Sequence, residues 1–229
     1  MNFIDKTLKF KTEWLHGYSC NRNRCLLPLI TFLSSLSQIF CKSRNYLYLC
    51  IVKRKMKMET ERISLRPWQD SDAETLFKYA SDPEIGPRAG WSPHKSVEES
   101  LDIIRTVFCS EGMWAVIWKE SGEAIGCVGY LLASSSNLKI AEDHAEVGYW
   151  IARPYWGKGI CTEALQMVID YCFNEKGFTV LWGDYYPSNP ASGRVMEKCG
   201  FVDTGKETLC PNLEVGSDCP VKVVKLIKK

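Results

Sequence analysis

The most constraining stretch of this sequence is a strand that runs into a glycine turn and then directly into a helix. Ala145 to Ile151 has the patterning of a strand, and Arg153-Pro154-Tyr155 ends it. Trp156-Gly157-Lys158-Gly159 turns the chain, and in the helix that follows Ala164, Leu165, Val168, Ile169, Cys172 and Phe173 share an inward face. This order leaves the first backbone N–H groups of the helix without partners, at the end where the macrodipole favours an anion. Glycines there let the backbone approach a pyrophosphate closely and adopt conformations closed to other residues. The turn is neither G-x-x-x-x-G-K-[ST] nor G-x-G-x-x-G, so the P-loop and dinucleotide-binding readings both fail on residues they require. The plain alternative is a glycine-containing helix entry that only caps.

The surrounding pattern supplies the rest of an α/β domain. Arg62 to Arg66 alternates as a half-buried strand, and Asp70, Ser71 or Asp72 caps a helix expected to bury Leu76, Phe77 and Ala80. Asp82 to His94, with Pro83, Gly86, Pro87, Gly90 and Pro93, reads as a loop. A second helix carries Leu101, Ile103, Ile104, Val107 and Phe108. Met113 to Trp118 and Ala124 to Leu132 form a hairpin about a turn at Glu120 to Glu123, followed by a polar loop at Ser134 to Asn137. Thr179 to Tyr185 is a strand, Asn189 to Lys198 a short helix with Pro190 at its start, and Gly200-Phe201-Val202 opens a strand for Val221 to Ile227 to pair with.

Charge divides the 229 residues into two parts: residues 1 to 55 hold ten Lys+Arg against two Asp+Glu, and residues 56 to 229 hold nineteen against twenty-five. The acidic body is a poor match for a phosphate backbone, which excludes nucleic acid as a main partner. The apolar run Leu26 to Phe40 contains Pro28 and four Ser or Thr hydroxyls and is shorter than the roughly twenty residues that cross a bilayer. Residues 1 to 55 are therefore read as a basic extension, poorly ordered or a translated leader, with Met56 or Met58 as the start of the folded unit; a membrane anchor is the alternative. Eleven cysteines, an odd number with no C-x-x-C pair, fit a reduced cytoplasmic interior better than a disulfide framework. Cys199, Cys210 and Cys219 are spaced too evenly for zinc, and no metal is expected.

Three runs in order resemble the GNAT acetyltransferase superfamily, in its RimJ/RimL-like form: Ala145-Glu146-Val147-Gly148-Tyr149-Trp150-Ile151, Trp156 to Ala164, and Asn189-Pro190-Ala191-Ser192 through Glu197-Lys198-Cys199-Gly200-Phe201. The resemblance spans roughly residues 59 to 228. It implies a mixed, mostly antiparallel sheet flanked by helices, acetyl-coenzyme A as co-substrate and a primary amine, on a protein N-terminus or a small molecule, as acceptor. The family pattern R/Q-x-x-G-x-G/A falls on Trp156 to Cys161, with Trp156 in place of Arg or Gln and Cys161 in place of Gly or Ala. By the same resemblance Tyr149, Ile151, Trp156, Gly157, Lys158, Gly159, Ile160, Cys161, Thr162, Asn189 and Ser192 contact the coenzyme, and Glu84, Arg88 and Trp91 contact the acceptor.

The chemistry asks for two groups. An alkylamine is almost wholly protonated at neutral pH and must lose a proton before it attacks a thioester. Glu146 stands where relatives carry a glutamate base; its alternative role is only to bind the cationic substrate. The leaving thiolate needs a donor, and Ser192 matches the subgroup's serine near the sulfur, although Asn189 and Ser192 are also ordinary helix-capping residues. Tyr185 or Tyr186 as phenol donor, His94 as base and Cys161 as covalent acyl carrier are the other options the residue types allow. A coenzyme A sensor without turnover, or a membrane-attached interaction protein using residues 1 to 55, would be the non-enzymatic alternatives. The unit is expected to be a monomer or homodimer.

Overall fold

The computed structural model describes residues 58–229, so the expectation for residues 1 to 55 lies outside the described part. Seven strands form one sheet: β1 (Ile63–Arg66), β2 (Met113–Trp118), β3 (Ala124–Leu132), β4 (His144–Ile151), β5 (Val180–Tyr185), β6 (Val202–Asn212) and β7 (Ser217–Ile227). Their order is β1-β2-β3-β4-β5-β7-β6. All neighbours are antiparallel except β4 and β5, which are parallel. This is the mixed, mostly antiparallel sheet that the resemblance implied. Every residue of β3 except Leu132 is buried, as a strand covered on both faces requires.

Helices α1 (Ala73–Ala80), α2 (Gly86–Ala89), α3 (Val97–Ile103), α4 (Ile160–Tyr171) and α5 (Pro190–Lys198) flank the sheet. Ile160, Ala164, Leu165, Val168 and Ile169 of α4 are buried with Cys172, the face read from the 3.6-residue period. Its neighbour Phe173 is only half-buried. In α1 Leu76 and Ala80 are buried, but Phe77 is half-buried and Tyr79 takes the core position. The Tyr79 phenol donates to Glu123 Oε2 at 2.9 Å, which gives its polar end a partner.

Asp82 to His94 is not wholly loop. Pro87 sits in the first turn of α2, where a missing N–H costs nothing, and Gly90 ends the helix at φ +84°. The tightness of this turn needs Gly86, where an added Cβ would lie 2.4 Å from the Trp91 carbonyl oxygen.

One feature of the sheet positions the site. β4 and β5 pair only at His144 with Val180, Ala145 with Leu181 and Glu146 with Trp182. Beyond Glu146 the two strands separate, while β4 stays paired to β3 as far as Ile151 and β5 to β7 as far as Tyr185. The split leaves one side of the β4 backbone without a sheet partner.

Candidate active site

The glycine turn lies beside that split. Gly157 and Gly159 have φ of +74° and +76°, a left-handed conformation that costs glycine little and other residues much. Gly159 is the N-cap of α4 and has no side chain to close the helix end, so the first N–H groups of α4 are open to a ligand. A cavity of about 340 Å³ begins there, and Tyr149, Ile151, Trp156, Gly157, Gly159, Ile160, Cys161, Thr162, Asn189 and Ser192 all border it. Of the residues assigned to the coenzyme only Lys158 does not: its ammonium lies 5.4 Å from the Tyr155 ring centroid.

The backbone phase of β4 explains why Tyr149 and Ile151 face the opening. The Ala152 N–H donates to the Ile125 carbonyl on β3, so the polar groups of residues 149 and 151, one step out of phase, point away from β3 toward the split. The Trp156 indole donates to the Ile151 carbonyl at 2.6 Å, which anchors the turn to the strand.

Charged residues shape the electrostatics, among them Arg194, Lys198 and Arg62, to which the sequence reading gave no role at the site, and Arg88, which it gave to the acceptor. Arg88, Arg194 and Lys198 border the cavity with positive charge, complementary to phosphates. Glu163, in the first turn of α4, would repel them, but Arg62 from the edge of β1 forms an ion pair with it and also donates to the Lys158 carbonyl at 3.0 Å. Arg62 and Lys198 lie far from the turn in sequence, so only a fold-level alignment could have brought them to it. Cys161 borders the cavity, and burial pushes its thiol well above the usual range; a thiol held protonated is a poor acyl carrier.

Ser192 is 8% exposed and touches the Tyr149 phenol, whose oxygen is 2.7 Å from the Ser192 carbonyl oxygen and 3.1 Å from its Oγ. Asn189 caps α5, accepting from the Ser192 N–H, and its amide donates to the Arg88 carbonyl at 3.0 Å. The same residue therefore caps a helix and ties it to the 82–94 segment.

Glu146 is on the other face of the sheet. It is three positions from Tyr149, and strand side chains alternate; it is fully buried and accepts from the Ser136 hydroxyl at 2.6 Å. Asp184, two residues beyond the register partner Trp182, shares that face, is 2% exposed and accepts from the Cys210 thiol at 3.2 Å. The sequence reading did not single it out, although an acid inside the apolar run Val180 to Tyr186 was the available signal.

Of the three acceptor residues, Glu84 and Arg88 lie together and Trp91 is turned into the core. Arg88 borders the cavity, but Glu84 is spent on a surface ion pair with it at 2.7 Å. Trp91 is 2% exposed and packs edge-on against Trp150, with ring centroids 6.0 Å apart; it is a core residue, because the turn of α2 folds it inward. His94 is buried too, with Nδ1 2.8 Å from Ser100 Oγ, and burial lowers its pKa. Gly193 packs on the Tyr185 ring, and the Tyr186 phenol donates to the Pro211 carbonyl at 3.1 Å. Among the described residues no group of three or more His, Cys, Asp or Glu is arranged to hold a metal, and no helix is long and apolar enough to cross a membrane.

A parallel strand pair that splits beside a helix N-terminus opened by glycines, with cations along the cavity, makes a site suited to a phosphorylated ligand. Residues 62–202 match the acetyltransferase (GNAT) domain, and the chain belongs to that family. It is 32% identical over 151 residues to the uncharacterized N-acetyltransferase p20 of Bacillus licheniformis, covering 64% of this chain and 82% of that protein. The ribosomal-protein-S5-alanine acetyltransferase of Vibrio fischeri superposes with a TM-score of 0.56 at 25% identity, over 74% of this chain and 94% of that one, in keeping with the RimJ/RimL-like subgroup. AAC(6')-Ib, solved in complex with ribostamycin and coenzyme A, shares the fold at a TM-score of 0.60 and 18% identity, over 73% of this chain and 94% of its own. The protein is an acetyl-coenzyme A-dependent N-acetyltransferase.

Proposed function

We propose that the protein moves the acetyl group of acetyl-coenzyme A to a primary amine, on a protein N-terminus or a small molecule, by direct attack within a ternary complex. The catalytic domain in this reading is residues 56 to 229, with residues 1 to 55 as an extension outside it. The observation that carries the reading is the split between β4 and β5. The strands separate just past Glu146, whose buried carboxylate is on the sheet face opposite Tyr149, a residue that borders the coenzyme cavity.

The N-terminus of α4 holds the pyrophosphate, and the free edge of β4 holds the pantetheine arm in the manner of an added strand. The amine approaches from the face of Glu146, which takes its proton either directly or through water, and the neutral nitrogen attacks the acyl carbon. Ser192, on the coenzyme side, donates a hydrogen bond to the departing sulfur. Buried carboxylates on the acceptor face favour a cationic amine over a neutral nucleophile.

Mass spectrometry of a panel of amines and N-terminal peptides, incubated with the full chain and acetyl-coenzyme A, tests the proposal. One class should gain a single acetyl group in proportion to enzyme. Tight binding of acetyl-coenzyme A with no acceptor modified across the panel would point instead to a coenzyme sensor.

A further inference from the structure

The contact between Tyr149 and Ser192 has more content than packing. Tyr149 stands on β4 on the coenzyme face, 8% exposed, with its oxygen beneath the first turn of α5. A phenol has one proton, and a carbonyl oxygen can only accept. At 2.7 Å that proton goes to the Ser192 carbonyl. The 3.1 Å contact with Ser192 Oγ is therefore a hydrogen bond only if the serine donates and the phenolic oxygen accepts. In this arrangement the serine hydroxyl points at Tyr149 and not at the cavity that Ser192 borders.

A second arrangement of the same atoms is available. If the serine O–H turns toward a sulfur in the cavity, its oxygen loses nothing, because the phenol can shift its own proton from the carbonyl to Oγ, which lies only slightly farther away. A hydroxyl that accepts one hydrogen bond while donating another is polarised and donates more strongly. Without the phenol, the turned hydroxyl would leave a buried oxygen unsatisfied.

We propose that Tyr149 is a positioning residue for Ser192: it stores the serine hydroxyl while the site is empty of sulfur and, by exchanging hydrogen bonds, aims it at the sulfur when coenzyme is bound. No covalent bond changes at Tyr149. Burial holds its pKa well above the ordinary value, so the phenol keeps its proton throughout and acts only through the serine. This rests on Ser192 as the donor to sulfur, the reading given above.

The test is binding, read beside turnover. Coenzyme A is titrated calorimetrically into the full chain at about pH 9.5, where a thiol of ordinary pKa is largely thiolate, and desulfo-coenzyme A serves as the control without sulfur. Ser192→Ala should weaken coenzyme A binding about tenfold and Tyr149→Phe about three- to tenfold. The double variant should match Ser192→Ala within twofold, and desulfo-coenzyme A should bind all four proteins alike. Single-turnover acetyl transfer should show the same non-additivity.

If Ser192→Ala leaves both coenzyme A affinity and turnover unchanged, Ser192 is not the donor, and the reading beneath this proposal falls with it. If Ser192→Ala has its effect but Tyr149→Phe has none, or the two effects multiply, Ser192 stands and the role of Tyr149 is overturned. Equal loss of coenzyme A and desulfo-coenzyme A binding in Tyr149→Phe would reduce the phenol to a packing role.

Discussion

The two halves of the site are built differently. The coenzyme half is nearly continuous in sequence, from Tyr149 at the end of β4 through the glycine turn to Thr162 in α4, completed by the start of α5. Much of what it offers a ligand is backbone: the N–H groups at the start of α4 and the unpaired edge of β4. The proposed acceptor half would draw side chains from separate segments, with Glu146 on β4, Asp184 on β5, Ser136 ahead of β4 and Cys210 on β6. Backbone sites are sensitive to changes in chain conformation and indifferent to pH. A site made of buried carboxylates adds a dependence on pH through their titration. Changes in the first half should therefore move coenzyme affinity, and changes in the second should move rate and its pH dependence.

The largest effect is expected in the acceptor half. Glu146→Gln should lower the single-turnover rate by about 10²–10⁴, the usual worth of general acid–base catalysis, while the Kd for acetyl-coenzyme A measured calorimetrically stays within about twofold. A comparable loss of coenzyme affinity would mean that the two halves are not separable.

Next comes the turn itself. Gly159→Val should weaken acetyl-coenzyme A binding at least about tenfold, or roughly 1.4 kcal/mol. Space is not the cause in the free protein, since an added Cβ would meet nothing nearer than Arg62 Nη2 at 4.0 Å. The cost comes from holding a β-branched residue at φ +76° and from the side chain then facing the pyrophosphate. Unchanged affinity in a folded variant would reduce the turn to a helix cap.

A smaller effect should follow from Arg62→Ala, which leaves Glu163 uncompensated at the start of α4. Coenzyme binding should weaken about threefold at low ionic strength and recover most of the difference in salt, as screening of exposed charges requires. A loss independent of salt would assign Arg62 to holding the Lys158 carbonyl rather than to charge balance.

The same division explains what could be read from the chain. The hairpin of β2 and β3, the inward face of α4 and the glycine turn were legible because each is written in neighbouring residues, by period two, period 3.6 or a φ that suits glycine. Phe77 and Tyr79 exchanged places because only the fold puts Glu123 within reach of a phenol at position 79. Trp91 looked available in a loop rich in proline and glycine, yet the short helix those residues form turns it into the core. Asp184 carried no local motif, and the strand pattern that contained Arg62 said nothing of its pairing with Glu163. Their places depend on strand register and on contact between β1 and the start of α4, which are properties of the assembled sheet.

The most direct test of the central claim, that Glu146 serves as base across the split from the coenzyme, is a pair of single-turnover pH–rate profiles for the parent and Glu146→Gln with the same amine. As pH rises toward the acceptor's own pKa, more amine arrives neutral and the base has less to do. The account predicts that the two profiles converge, the variant's defect shrinking with each unit of pH, while Ser192→Ala keeps its defect throughout. Parallel profiles for Glu146→Gln and the parent would contradict it.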